Sequence, residues 1–154
     1  MRVTESTVSK MTISDVDGLD TINVIFEDFN PEQGRVTIEC FGSAWAHYWP
    51  AMGDHTIRQF FATSHVDYLI GKLIDGRTHE PDYDKMSKDT GAPIYDEESC
   101  NAYSDKLVDV YGQDWMIDYP TRKTADYEYL GRIVTTIQNA LTQNQGTDIM
   151  RAVT

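Results

Sequence analysis

The sequence predicts a single α+β domain, in which an N-terminal antiparallel sheet of about three strands is packed by helices. Apolar and polar residues alternate in residues 35–41, which is the period of a strand with one buried face. After Gly42 and Ser43 the large apolar residues recur every three or four positions as far as Leu73, which is the spacing of helices packed on a sheet. The length of 154 residues suits one domain that buries a core without a metal or a disulfide.

Short turns join the predicted strands, which is typical of an antiparallel meander. The strands are predicted at residues 7–13, 21–29 and 35–41. The turn after the first strand contains the sequence DVDG, which is part of a calcium-loop pattern. The third oxygen ligand and the final glutamate of that pattern are missing, so no calcium site is predicted.

Capping residues mark the ends of the predicted helices. The helices are predicted at residues 44–74, 96–111 and 124–143. Within the first range Ser64 is placed to cap a helix that begins at His65, while Asp96 and Thr124 are placed to cap the other two. Gly112 is placed to end the second helix.

The negative charge is concentrated in the middle of the chain. The whole sequence has 25 acidic and 13 basic residues, for a net charge of −12, and residues 75–128 hold 14 of the acidic and 6 of the basic ones. Residues 75–95 combine Gly, Pro, Asp and Ser with little periodicity, which predicts a long, exposed acidic loop. Residues 113–123 are predicted to form a short strand or a plug over the core.

This composition argues against nucleic acid and membrane as direct partners. An acidic field repels phosphate groups and anionic lipid. No apolar run has the length of a membrane span, and the N-terminus has no apolar signal region. The two cysteines lie 60 positions apart without a CxxC pattern, which favours free thiols in a reducing cytoplasm.

The sequence predicts no catalytic, cofactor or metal site, and we expect a protein that is not an enzyme. His47, His55 and His65 lie close together, but their spacing does not place two imidazoles on one helical face. Cys40 and Cys100 lie on apolar faces and are interpreted as small buried hydrophobic residues. The GxSxG, Walker and GxGxxG motifs are absent.

Residues 37–45 (TIECFGSAW), followed by Tyr48-Trp49 and then by Met52, Gly53 and Asp54, form a distinctive pattern. This pattern resembles a group of small proteins encoded by lambdoid phages and prophages of enteric bacteria. The resemblance covers about residues 11–74 and implies a mobile-element setting rather than a mechanism. Small acidic proteins from such settings include anti-CRISPR and other anti-defence inhibitors, which bind a host complex.

The predicted function is therefore inhibition of a bacterial defence complex in the host cytoplasm, such as a CRISPR effector or a nuclease. A dense set of carboxylates can present spaced negative charge to a basic protein groove that nucleic acid normally occupies. The predicted partner-binding residues are Asp82, Asp84, Asp96, Glu97, Glu98, Asp105 and Asp109.

Two alternative functions stay open at this point. The first is a non-enzymatic binding module, with a homodimer as one form, that uses exposed aromatic residues around Trp45 and Trp49. The second is a small hydrolase that uses His47 or His55 with a carboxylate. The acidic segment itself also has a simpler interpretation as a solvated, solubilising face.

Overall fold

The computed structural model describes the backbone of residues 1–152 and the side chains of residues 1–143. The chain divides into two compact units. Unit 1 comprises Met1–Gly76 and the segment from Asp126 onward, and unit 2 comprises Arg77–Ala125. The α+β class is confirmed, whereas the prediction of one domain stays a prediction. The two separate buried clusters were not foreseen.

Unit 1 is built on an antiparallel sheet whose strands follow one another in the order β1-β2-β3-β4. The strands are β1 (Ser9–Ile13), β2 (Ile22–Asn30), β3 (Gln33–Cys40) and β4 (Ser43–Trp49). The first three match the predicted strands. The sheet therefore has four strands rather than about three.

The fourth strand is a correction to the predicted helix at residues 44–74. Phe41 and Gly42 both have positive φ, 50° and 78°, as in the two-residue type I′ turn that joins antiparallel strands. The chain folds back at this turn, and Trp45 pairs with Ile38 of β3. The aromatic residues that have helical spacing in the sequence are thus members of a strand.

Three helices complete unit 1, and three more lie in unit 2. Those of unit 1 are α1 (Ile57–Thr63), α2 (Val66–Leu73) and α6 (Ala125–Ala152). Those of unit 2 are α3 (Tyr83–Thr90), α4 (Glu97–Ala102) and α5 (Ser104–Tyr111), with a two-stranded sheet of β5 (His79–Pro81) and β6 (Thr121–Lys123).

Three local predictions about unit 2 and the helix caps need correction. The predicted loop at residues 75–95 contains β5 and α3, and the predicted helix at residues 96–111 is divided at Tyr103 into α4 and α5. Ser64 ends α1 instead of capping α2, because its hydroxyl donates to the Phe60 carbonyl at 2.7 Å. The cap at Asp96 and the end of the helix at Gly112 are confirmed.

Each unit buries its own apolar cluster. In unit 1 the alternating residues of the sheet face the helices, as the period-two pattern predicts. The cluster of unit 1 includes Ile22, Val24, Phe26, Val36, Ile38, Phe61, Leu69, Leu130 and Val134. The cluster of unit 2 consists of Met86, Ala92, Ile94, Cys100, Leu107 and Trp115.

Candidate protein-binding surface

Two of the seven predicted binding residues are helix caps. The Asp96 carboxylate accepts a hydrogen bond from the Ser99 backbone N–H at 2.8 Å, and the Ser99 hydroxyl oxygen accepts one from the Asp96 backbone N–H at 3.0 Å, which completes a capping box. Hydrogen bonding of the carboxylate to Ser99, first of all to its backbone N–H, lowers the pKa of Asp96. Asp82 accepts from the Lys85 backbone N–H at 2.9 Å and caps α3. Both carboxylates therefore already accept a backbone hydrogen bond in the first turn of a helix.

A third predicted residue, Asp84, already has a cationic neighbour. Its carboxylate lies 3.0 Å from a terminal nitrogen of Arg122, although 89% of its side chain is exposed. Arg122 also binds Glu80 at 2.8 Å, across the small sheet of unit 2. Asp84 is thus partly neutralised within the unit.

The other four predicted residues are exposed carboxylates that enter no salt bridge among the described residues. Glu97 and Glu98 lie in the first turn of α4, where the helix dipole favours acidic side chains. Asp105 and Asp109 are four residues apart in α5, on the side opposite the buried Leu107. We call Glu97, Glu98, Asp105 and Asp109 the open carboxylates.

Contacts within unit 2 hold the helices that carry the open carboxylates. Asp89 of α3 accepts from Lys85 at 2.7 Å and from the Tyr111 hydroxyl of α5 at 2.6 Å. Both bonds lower the pKa of Asp89, with that from Lys85 the larger cause. Burial, followed by the bond to Asp89, raises the pKa of Tyr111. The bond from Tyr111 thus holds α5 to α3, and the buried Cys100 packs α4 into the apolar cluster of unit 2.

A pocket of about 420 Å³ in unit 2 includes one of the open carboxylates, Glu97. Aromatic and thioether side chains form much of its wall, and Arg77 and Asn101 supply further polar groups. The apolar lining residues are Pro81, Tyr83, Met86, Cys100, Trp115, Met116 and Tyr119. The sequence signal for this pocket is the group of large apolar residues at 115–119 (WMIDY), which by itself predicts only a short strand or a plug.

The aromatic surface proposed as an alternative is only partly present. Trp49 is 3% exposed, and its indole N–H donates to the Tyr68 hydroxyl at 3.1 Å, so it is a core residue. Trp45 is half-buried against Tyr129, while Tyr48 remains 44% exposed. Only the alternative function requires Trp49 to be exposed, and that requirement is not met, because β4 turns the Trp49 side chain toward the helices.

The histidines of the hydrolase alternative lie apart. His47 is half-buried and packs edge-on against Trp49 at 4.7 Å between ring centroids. Burial is the main cause that lowers its pKa. His55 lines a different pocket, near Asp54 and Asp28. Within the described residues neither imidazole donates to a carboxylate.

The described residues contain no group of three or more His, Cys, Asp or Glu side chains placed to hold a metal ion. Cys40 and Cys100 are both buried free thiols. Burial is the largest cause that raises the pKa of Cys100. Among the described helices, none combines the length and apolar character required to span a membrane.

Comparison with known sequences identifies the family of the chain. The sequence model Phage_phiTE_072, described as a phage family, matches residues 1–143. The chain belongs to this phage family. No curated protein and no solved structure matches it. The predicted association with phages is confirmed, and the match covers residues 1–143, whereas the predicted resemblance covers only about residues 11–74.

Proposed function

We propose that this member of the phage family is an accessory protein that inhibits a bacterial defence complex in the host cytoplasm. In this proposal it acts by binding and not by catalysis. The open carboxylates of unit 2 contact a basic surface of the complex, such as the nucleic-acid channel of a CRISPR effector or the docking surface of a nuclease.

The observation that carries the proposal is the state of the four open carboxylates. When a carboxylate caps a helix or pairs with an arginine, the internal partner weakens its attraction for an external cation. The open carboxylates have no such internal counter-charge among the described residues. They therefore remain available to the lysine and arginine side chains that line nucleic-acid grooves.

The helical setting supports the same proposal. Side chains on short, packed helices keep a defined spacing, and fixed charges attract an oppositely charged surface at longer range than apolar contacts do. The net charge of −12 adds to this attraction and speeds the encounter. Such a contact weakens as ionic strength rises, because salt screens exposed charges.

The test is an affinity pull-down of the tagged chain from host lysate at low and high salt, followed by binding measurements with the recovered complex. The test variant is E97Q/E98Q/D105N/D109N, which removes the charges and retains the shapes. A matched control, E5Q/D17N/E32Q/D54N, removes four exposed charges from unit 1. Both variants change the net charge equally.

We expect recovery of a defence complex at low salt and its loss at high salt. The unit 2 variant should bind that complex at least roughly tenfold more weakly, and the control should stay within about threefold of the unaltered chain. Thermal stability should change little in either variant. Equal affinity of the two variants for the complex would show that the open carboxylates do not form the binding contact. Recovery that is insensitive to salt would favour the aromatic binding module.

A further inference from the structure

We propose that unit 1 contains a separate peptide-binding site, in which an extended peptide pairs with the free edge of β4 and places an arginine side chain in the adjacent pocket. The inference goes beyond the proposed function, because the site lies in unit 1 and uses none of the open carboxylates. It rests on the strand order, the register of β4 and the lining of the pocket.

The first observation is an unpaired strand edge. β4 is the last strand of the sheet, and no other strand in the described part of the chain pairs with its outer side. The two-residue turn makes Cys40 and Ser43 a hydrogen-bonded pair, and such pairs alternate along an antiparallel ladder. The backbone N–H and C=O groups of Ala44, Ala46 and Tyr48 therefore point away from β3, toward a strand that could be added.

The second observation is a pocket of about 460 Å³ that β4 itself lines. Residues Ser43, Ala44, Trp45 and Ala46 form its strand side. Leu73, Ile74, Asp75, Asp126 and Tyr129 form the remainder. A peptide paired with the strand edge would thus have a recess beside it, and not a flat surface.

The chemistry of the lining favours a cation. Asp75 and Asp126 are exposed, enter no salt bridge among the described residues and share the pocket with two aromatic rings. The rings of Trp45 and Tyr129 are 6.1 Å apart between centroids and inclined at 56°. No lysine or arginine belongs to the lining. The nearby Arg132 is directed to the Gly18 carbonyl oxygen, at 2.6 Å.

Arginine fits this lining better than lysine does. Its planar guanidinium stacks on aromatic faces and can give two parallel hydrogen bonds to a carboxylate. The ammonium of lysine is a compact, strongly hydrated charge that gains less from stacking. In an added strand, alternate side chains point to the same face, so only every second residue can approach the pocket.

A strained turn residue stands at the start of the same edge. The side chain of Phe41 is 80% exposed. Its backbone φ of 50° is unfavourable for a bulky residue. Asparagine or glycine would satisfy this turn with less strain. An exposed aromatic residue in this conformation supplies a further apolar contact for a peptide that approaches β4.

The test is an NMR titration of the full chain with the blocked pentapeptide acetyl-Thr-Val-Arg-Val-Thr-amide. We expect shifts of the Ala44 and Ala46 amide signals and of the Trp45 indole N–H. The same peptide with citrulline in place of arginine keeps the shape without the charge and should bind at least tenfold more weakly. A lysine peptide should bind with intermediate affinity. Equal affinity for arginine and citrulline peptides would overturn the proposal.

Two variants distinguish the contribution of the pocket to peptide binding from that of the strand edge. D75N/D126N should weaken the arginine peptide roughly tenfold and leave the citrulline peptide unchanged. Ala46→Pro removes an outward N–H at a sheet edge, where proline is tolerated, and should weaken both peptides. A folded Ala46→Pro variant with unchanged binding would exclude strand pairing.

The last control tests whether peptide binding is independent of the open carboxylates, which carry the proposed function. E97Q/E98Q/D105N/D109N should bind the arginine peptide as the unaltered chain does. Loss of peptide binding in that variant would assign the peptide to unit 2 and overturn the inference. Conversely, failure of the defence-complex pull-down leaves the peptide titration interpretable, because no host protein enters it.

Discussion

The substitution Gly34→Ala tests a close approach between the sheet and a helix in unit 1. Gly34 is a buried residue of β3 that pairs with Asp28 and with Trp49. A Cβ atom at this position would lie 2.8 Å from Cβ of Ile57, which begins α1. It would also lie 2.9 Å from Cε of Met52 and 3.1 Å from the carbonyl oxygen of Glu27.

The size of the expected loss of stability depends on which of these neighbours can move. The Met52 methyl is the end of a flexible side chain and can turn away. Cβ of Ile57 and the Glu27 carbonyl are fixed to the backbone, and the Ile57 N–H is further anchored to the Asp28 carboxylate at 2.8 Å. Overpacking of this kind destabilises by about 1–3 kcal/mol, and the lower chain entropy of alanine offsets about 0.4–1 kcal/mol. We therefore expect a net loss of about 1–2 kcal/mol.

The assay is urea denaturation followed by tryptophan fluorescence and far-UV circular dichroism, with a thermal melt alongside. A loss of this size lowers Tm by roughly 2–8 °C for a chain of this length. Gly71→Ala in α2 is the matched control, because apart from the adjoining chain of α2 itself no heavy atom lies within 4 Å of its added Cβ. Alanine should stabilise that helix by about 0.5–1 kcal/mol. If Gly34→Ala proved as stable as the unaltered chain while Gly71→Ala gained stability, the proposed close contact of α1 with β3 would be wrong.

Two further predictions concern hydrogen bonds at helices. Tyr127→Phe removes the 2.5 Å bond to Asp67, which with burial raises the pKa of Tyr127 to about 12, and should lower stability by about 1 kcal/mol at neutral pH. The raised pKa favours the folded state below pH 10, and this contribution disappears as pH rises toward 12. The stability difference between variant and unaltered chain should therefore shrink in that interval, and a constant difference in denaturation curves would contradict the assignment. Asp96→Ala removes the cap of α4 and should accelerate amide exchange there roughly fivefold, with Asp105→Ala as the unaffected control. Because the pKa of Asp96 is lowered, the effect should fade as pH drops below about 4, and equal exchange in both variants would exclude the cap.

The candidate binding surface was only partly predictable from sequence. Acidic density identified all four open carboxylates, because charge and polarity are properties of single residues. The capping pattern predicted Asp96 as a helix cap, but acidic density alone still counted Asp96, and Asp82 with it, among the binding residues. Acidic density also could not reveal the pairing of Asp84, because Arg122 lies 38 positions away and approaches only in the folded chain.

The sequence by itself determined the features that depend on near neighbours. Strands β1 to β3, the start of α6, the cap at Asp96 and the end of α5 at Gly112 follow from alternation, spacing and local hydrogen bonding. Only the tertiary structure decided that β4 is a strand, because its aromatic spacing suits a helix until the turn pairs it with β3. The pocket between β4 and Asp126 likewise joins residues more than 80 positions apart. Such juxtapositions arise from long-range packing, which local spacing does not encode.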